Sequence, residues 1–311
     1  MASLADFETE SIKMLYPGKP GTGKTGSLIS ILLADPEARL FIANYDGGNI
    51  GTLANVARND PTTGQPRPPE VVADLLSRIQ FHSFADQIKS INGVTMVTGV
   101  PTAFHDLGRK LNDWGDGYGG LSSWGPKDWF VLDSFSALCD AALRYSLNNG
   151  GRLNKRPEQS DWGDAINRLI LILQMINDPS VKANVCVITH IRYVGDLDGA
   201  IGTDGKPKEL EALPNALGQK LPQEIGRFFN NIILAATSGT GPALQRKIYT
   251  RSPGKLELRT SNPGVVKPEY PIGTGMADLI KDLRRKGVAA LSAPTPTPVA
   301  TTPAAASTAS V

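Results

Sequence analysis

Residues 18–25 read GKPGTGKT and satisfy the pattern G-x-x-x-x-G-K-[ST] at each required position. Each residue type in that pattern has a chemical reason. Glycines let backbone N–H groups turn inward around phosphate oxygens, the lysine reaches the β- and γ-phosphates, and the hydroxyl after it ligates Mg²⁺. Gly18, Lys19, Pro20, Gly21, Thr22, Gly23, Lys24, Thr25 and Gly26 are therefore the expected nucleotide-binding set, with Lys24 also catalytic and Thr25 a metal ligand. The cofactors this implies are ATP and Mg²⁺. Such a loop needs a second carboxylate at the end of a buried strand to complete the metal site. WFVLDS, residues 129–134, supplies Asp133 for that role, although an aspartate there can also be no more than a helix N-cap. A third apolar run, VCVITHIR at 185–192, ends in polar residues and offers His190. A lone histidine after a strand is usually a surface residue, but one beside the Asp133 strand can reach the γ-phosphate.

These groups converge only if the elements carrying them form a sheet with helical crossovers. Short apolar runs alternating with longer amphipathic segments predict that α/β arrangement. Strands are expected at 13–16, 40–44, 80–84, 129–133, 184–190 and 231–236, and helices at 24–33, 102–114, 136–147 and 160–177. In the last helix Trp162, Ile166, Leu169, Leu173 and Ile176 recur at helical spacing, which reads as a core-facing stripe. The alternating segments RKIYTRS and KLELRTS predict an antiparallel extension. Long loops are expected at 115–127, 148–159 and 195–219. Loops of that length in a compact domain are usually functional or disordered. Tyr118 and Trp124, set among glycines in the first loop, could stack on bases, but capping a hydrophobic edge is the favoured reading.

Composition sets the outer limits. The chain has 311 residues, 41% apolar and 20% charged, enough to bury a sizeable core and too large for a disulfide- or metal-stapled scaffold. No apolar run approaches a bilayer span, and MASLADFETE lacks a signal-peptide core. The two cysteines, Cys139 and Cys186, lie in apolar segments and fit a reducing compartment, so cytoplasm is the expected location, the host's if the chain is phage-encoded. The net charge of +2 does not by itself imply nucleic acid. Residues 1–287 are expected to form one ATPase core, and 288–311, rich in Ala, Pro and Thr, a disordered tail.

The order of these motifs resembles the RecA-like core of P-loop NTPases over residues 13 to about 261. GKPGTGKT looks like its Walker A loop and WFVLDSFSAL like its Walker B strand. ITHIR is similar to the strand whose glutamine senses the γ-phosphate, and GQKLPQEIGRFFNNIILAAT to the end of the mobile loop that follows. DWG at 161–163 and KLPQEIGRFF at 220–229 resemble phage-encoded RecA-core single-strand annealing proteins. The resemblance implies a mostly parallel central sheet flanked by helices, with an antiparallel extension. It puts His190 in the sensor position and Asp46 of LFIANYDGG where the family has a water-polarising glutamate. Asp46 is one methylene shorter and also suits a plain turn before two glycines.

By the same resemblance, two loops line a DNA path. Arg152, Lys155 and Arg156 fall in the first, and Arg192, Lys206, Lys208 and Lys220 in or beside the second, whose Asp196, Asp198, Asp204, Glu209 and Glu211 oppose that role. Arg251 is the candidate cation offered to a neighbouring subunit's γ-phosphate, with Arg259 and Lys267 behind it. The implied function is ATP hydrolysis coupled to single-stranded DNA in recombination, annealing or repair. Expected partners are single-stranded DNA, further copies of the chain and a single-strand-binding protein, with no membrane. The alternative is a P-loop switch or motor acting on proteins. A nucleotide kinase is a third reading, and it lacks a recognisable lid with arginines.

Overall fold

The computed structural model describes residues 11–47, 49–194, 211–239, 241–252 and 256–285. In chain order the described elements begin with β1 (Lys13–Pro17), α1 (Lys24–Ser27), α2 (Ile29–Ala34), β2 (Arg39–Asn44), α3 (Asn49–Arg58), α4 (Pro69–Ser77), β3 (Ile79–Ser83), β4 (Ile88–Ile91) and β5 (Val94–Val97). The middle of the chain forms α5 (Ala103–Asn112), β6 (Asp128–Asp133), α6 (Phe135–Asn149), α7 (Gln159–Ile176), β7 (Asn184–Thr189), β8 (Ile191–Val194) and β9 (Glu211–Pro214). The last part forms α8 (Leu221–Glu224), β10 (Asn231–Ile232), β11 (Leu234–Ser238), β12 (Gln245–Tyr249), β13 (Glu269–Pro271) and α9 (Gly275–Arg284).

Six strands make the central sheet in the order β10-β1-β7-β6-β2-β3, and every neighbouring pair is parallel. Parallel strands require helical crossovers that cover both faces, so the inner strands have no solvated side. Burial follows the period of two. Leu15, Phe41, Ala43, Phe130, Leu132, Val185 and Val187 join Leu107, Leu138, Leu169 and Leu173 of α5, α6 and α7 in one core. The intervening residues, among them Met14, Tyr16, Leu40, Ile42, Trp129, Val131, Cys186 and Ile188, join Leu32, Leu53 and Leu279 of α2, α3 and α9 in the other. Lys13, buried at the foot of β1, gives its ammonium to the carbonyls of Ile176, Val181 and Ala183, which favours a cation at the C-terminus of α7.

The expected α/β class, parallel sheet and antiparallel extension are all present. The extension is β11-β12-β13. Several expected details differ: β9 lies within the expected loop at 195–219, and the expected helix at 24–33 is divided into α1 and α2. The strand at 231–236 divides at Ile233, its first part joining the central sheet and its second the extension. KLELRTS forms no strand among its described residues; Arg259 makes a single bridge to Ile232. The expected tail at 288–311 lies outside the described residues. No helix among the described residues is long and apolar enough to cross a membrane. Of the aromatics of the loop at 115–127, Trp124 is core and Tyr118 packs against it, half-buried. Trp124 stacks on Phe41 with ring centroids 4.0 Å apart, its indole N–H donates to the Tyr118 carbonyl, and Tyr118 meets Phe41 edge-on.

Candidate functional site

Parallel strands end at the same edge, and the register lines up the ends that matter. Pro17 of β1 pairs with Thr189 of β7, Asp133 of β6 with Ile188 of β7, and Asn44 of β2 with Asp133. The phosphate-loop motif, the WFVLDS carboxylate, the His190 run and Asp46 therefore meet above four neighbouring strand ends. Sequence separation exceeds a hundred residues between some of them, and the sheet removes it.

The phosphate loop spans from β1 to α1. Gly23 caps α1 with φ of 91°, a left-handed conformation in which a side chain is strained. Gly18 has a different reason, since a Cβ there would lie 2.7 Å from the Ala235 carbonyl oxygen of β11. Lys19, Pro20 and Gly21 form an exposed lip, while Thr22, Lys24, Thr25 and Gly26 are buried behind it. The Lys24 ammonium donates to the Gly18 and Lys19 carbonyls at 2.8 and 3.0 Å. Burial lowers its pKa from the usual lysine range, opposed by the charges of Asp133 and Asp46.

Asp133 shares the sheet face of Trp129 and Val131, the face covered by α1 and α2, so its carboxylate points at the loop helix. Thr25 Oγ1 donates to Asp133 Oδ2 at 2.6 Å. The N-cap reading of Asp133 does not hold, because the residue capping α6 is Ser134, whose side chain accepts from the Ala137 N–H. A hydroxyl beside a carboxylate offers the hard oxygens that suit Mg²⁺, which takes few protein ligands and fills its shell with phosphate oxygens and water. The residues therefore fit that ion. Among the described residues no group of three or more His, Cys, Asp or Glu could hold a metal unaided.

Asp46 and His190 form one unit, with Asp46 Oδ2 3.3 Å from His190 Nε2. The Asp46 backbone N–H donates to the Asp133 carbonyl, which ties the unit to the metal strand. The His190 hydrogen bond, a Ser134 hydrogen bond and the charges of His190 and Lys24 hold the Asp46 carboxyl below its usual range, against a burial effect that raises it. His190 is set by Ser136, whose hydroxyl accepts the His190 backbone N–H and donates to the Asn215 carbonyl.

The remaining candidates are dispersed. Arg152 makes two short contacts to the buried Asp161, Nη2–Oδ1 at 2.6 Å and Nε–Oδ2 at 2.9 Å, so its guanidinium is committed to the start of α7. Lys155 and Arg156 are exposed on that loop. Arg192 donates to the Gly218 carbonyl at 3.0 Å. Lys206 and Lys208 lie outside the described residues. Arg251 is exposed beyond Tyr249, the end of β12 that pairs with Leu234, and does not join the site within one chain. Arg259 is engaged with the Gly226 and Phe229 carbonyls.

Arg246 was not singled out by the sequence, and it is the β12 arginine that touches the loop. Its Nε donates to the Gly21 carbonyl at 3.0 Å, and its neighbour across the sheet edge, Ile272, lies 3.1 Å from where a Gly23 Cβ would stand. Arg246 braces the outer side of the lip. One exposed hydrogen bond of this kind contributes about 1 kcal/mol, so Arg246→Ala is expected to weaken ATP binding roughly fivefold with a smaller effect on turnover. Calorimetric titration checks this, and an unchanged Kd would assign the bond no role in binding.

A scan against models of known protein families gave no match, and neither did a search of curated proteins. Among solved structures, the chain is similar to a KaiC-like protein, PH0186, from Pyrococcus horikoshii OT3, with 13% identity over 84% of this chain and 85% of that one, at a TM-score of 0.39. A RadB recombinase matches with 14% identity over 79% of this chain and 85% of that one, also at 0.39. Likeness at this level assigns neither activity nor ligand to the chain. The fold stated above rests on the chain's own strand order and register.

Proposed function

We propose that the chain is a Mg²⁺-dependent ATPase with a RecA-like core that acts on single-stranded DNA in recombination, annealing or repair. The observation that carries the ATPase reading is the meeting of Lys24, the Thr25–Asp133 pair and the Asp46–His190 pair above adjacent ends of one parallel sheet. In this reading the loop N–H groups and Lys24 hold the phosphates, Thr25 and Asp133 hold Mg²⁺, and Asp46 orients the attacking water. Bound Mg²⁺ supplies neutralisation of the charge that develops on the phosphoryl oxygens. His190 fixes the orientation of Asp46 and links it to the segment running on into β8, so that occupancy beyond β8 can reach the hydrolytic centre.

The nucleic-acid half of the reading is supported by Lys155 and Arg156, exposed on the loop between α6 and α7. A second reading, action on a protein partner, is favoured by the β4–β5 hairpin, where Ile88, Ile91 and Val94 are 53%, 45% and 58% exposed. Steady-state ATP hydrolysis with Mg²⁺ at low salt, alone and with single- or double-stranded DNA, separates the two. A several-fold rise with single strands only is the expected result. Basal turnover that neither DNA changes would discard the DNA reading and leave the partner reading standing.

A further inference from the structure

A cleft of about 590 Å³ opens beside the Asp46–His190 pair, and no residue of the phosphate loop lines it. It is bounded by the first turns of α6 and α7, the β7–β8 junction and the turn at 215–219. The volume falls in the range of small-molecule sites. Arg192 lines the cleft with a guanidinium held by its Nη2 bond to the Gly218 carbonyl at 3.0 Å.

The charges in the wall say which partner fits. His190 and Arg192 face two carboxylates, Asp46 and Asp140, and burial together with the charge of Asp46 raises the Asp140 pKa, with Arg144 opposing. Two carboxylates in one small cleft repel a phosphate. A neutral ring with both donors and acceptors suits the same set, because Arg192 donates and Asp140 accepts. Trp162 adds an aromatic wall, half-buried at the start of α7. Its turn is preorganised, since Asp161 accepts from the Glu158 N–H and is clamped by Arg152.

We infer that this cleft is a nucleobase-binding site, in which an unstacked base lies on Trp162 and exchanges hydrogen bonds with Arg192 and Asp140. The inference rests on the single-strand reading only for the source of the base, which is otherwise a free nucleoside. Because His190 lines the cleft and its Nε2 faces Asp46, a base there lies beside the residue that holds the group orienting the attacking water.

The test is binding of fluorescently labelled oligonucleotides of one length, base-bearing or abasic, and of free nucleosides followed by tryptophan quenching. It uses the full chain and the variants Trp162→Leu and Asp140→Asn, with melting temperature confirming that each folds. Base-bearing strands are expected to bind the unaltered chain more tightly than abasic ones, and Trp162→Leu is expected to reduce that preference about tenfold while leaving abasic affinity unchanged. Asp140→Asn is expected to change which base is preferred. Equal affinity for base-bearing and abasic strands overturns the base site while the strand reading survives. Quenching by nucleosides that Trp162→Leu abolishes, with no strand bound, supports the base site and discards the strand reading. No binding of either overturns the inference.

Discussion

Lys24→Ala is expected to cut steady-state ATP hydrolysis by roughly several hundredfold while the protein stays folded, read by phosphate release and by thermal melting. Negative charge spreads over the phosphoryl oxygens in the transition state, and a preorganised donor aimed at such charge in a water-excluded site contributes about 3–4 kcal/mol. Lys24 is 6% exposed and held by two carbonyls of its own loop, so its ammonium is positioned before any nucleotide arrives. The cost to folding is small by comparison. Of the two carbonyls it releases, that of Lys19 belongs to the exposed lip and can turn to water. Lys24→Met keeps the aliphatic stem and separates packing from charge: both variants should lose hydrolysis, and only Ala should lower the melting temperature. Turnover at the original rate in either variant would overturn the assignment of the loop.

Much of this site was legible because its parts are local in sequence. GKPGTGKT states its own backbone, and WFVLDS and VCVITH state their burial by being apolar at consecutive positions, which only a strand covered on both faces tolerates. Their meeting at one edge then follows from parallel pairing. What escaped the sequence was decided by pairings at long range. Arg246 and Arg251 stand on one alternating segment, and only the antiparallel register of β12 on β11 determines that Arg246 reaches the phosphate loop while Arg251 lies past the other end. Arg152 reads as a free cation on a glycine-rich loop, whereas its partner Asp161 sits nine residues away and takes its two shortest hydrogen bonds. The hairpin of β4 and β5 is the exception, a local feature whose turn, Asn92-Gly93 with both φ positive, needs no long-range pairing to be read.

Trp162 shows the limit of periodicity. It belongs by spacing to the stripe of Leu169, Leu173 and Ile176, all fully buried, yet the helix begins before the core does. The first turn of α7 carries the stripe to the edge of the cleft, so that half-buried Trp162 both packs against the core and lines the pocket. Helical spacing tells which side a residue faces and not how far the neighbouring layer extends.

Asp46→Asn is expected to lower the rate of hydrolysis about a hundredfold or more and to leave ATP affinity nearly unchanged, measured by single-turnover hydrolysis and equilibrium binding. Asparagine is chosen because it tests the two roles against each other. Asn and Asp serve equally well as turn residues, so if Asp46 merely shapes the chain before Gly47 the substitution is neutral for rate and for stability. A water-orienting role needs the charge. Its carboxyl is held below the ordinary range, chiefly by His190, which suits a group that stays ionised and orients water more than one that must strip a proton completely. The sign for stability follows: a depressed folded pKa contributes stability above the unfolded carboxylate value, and that contribution is lost as pH falls through the folded value. Asp46→Asn should therefore reduce the acid sensitivity of the melting temperature as well as the rate. His190→Gln keeps a donor toward Asp46 and removes the ring, so it should retain basal hydrolysis better than Asp46→Asn does. If His190→Gln instead abolishes turnover while Asp46→Asn does not, the order of the two residues in the site is the reverse of the one argued from the 3.3 Å contact.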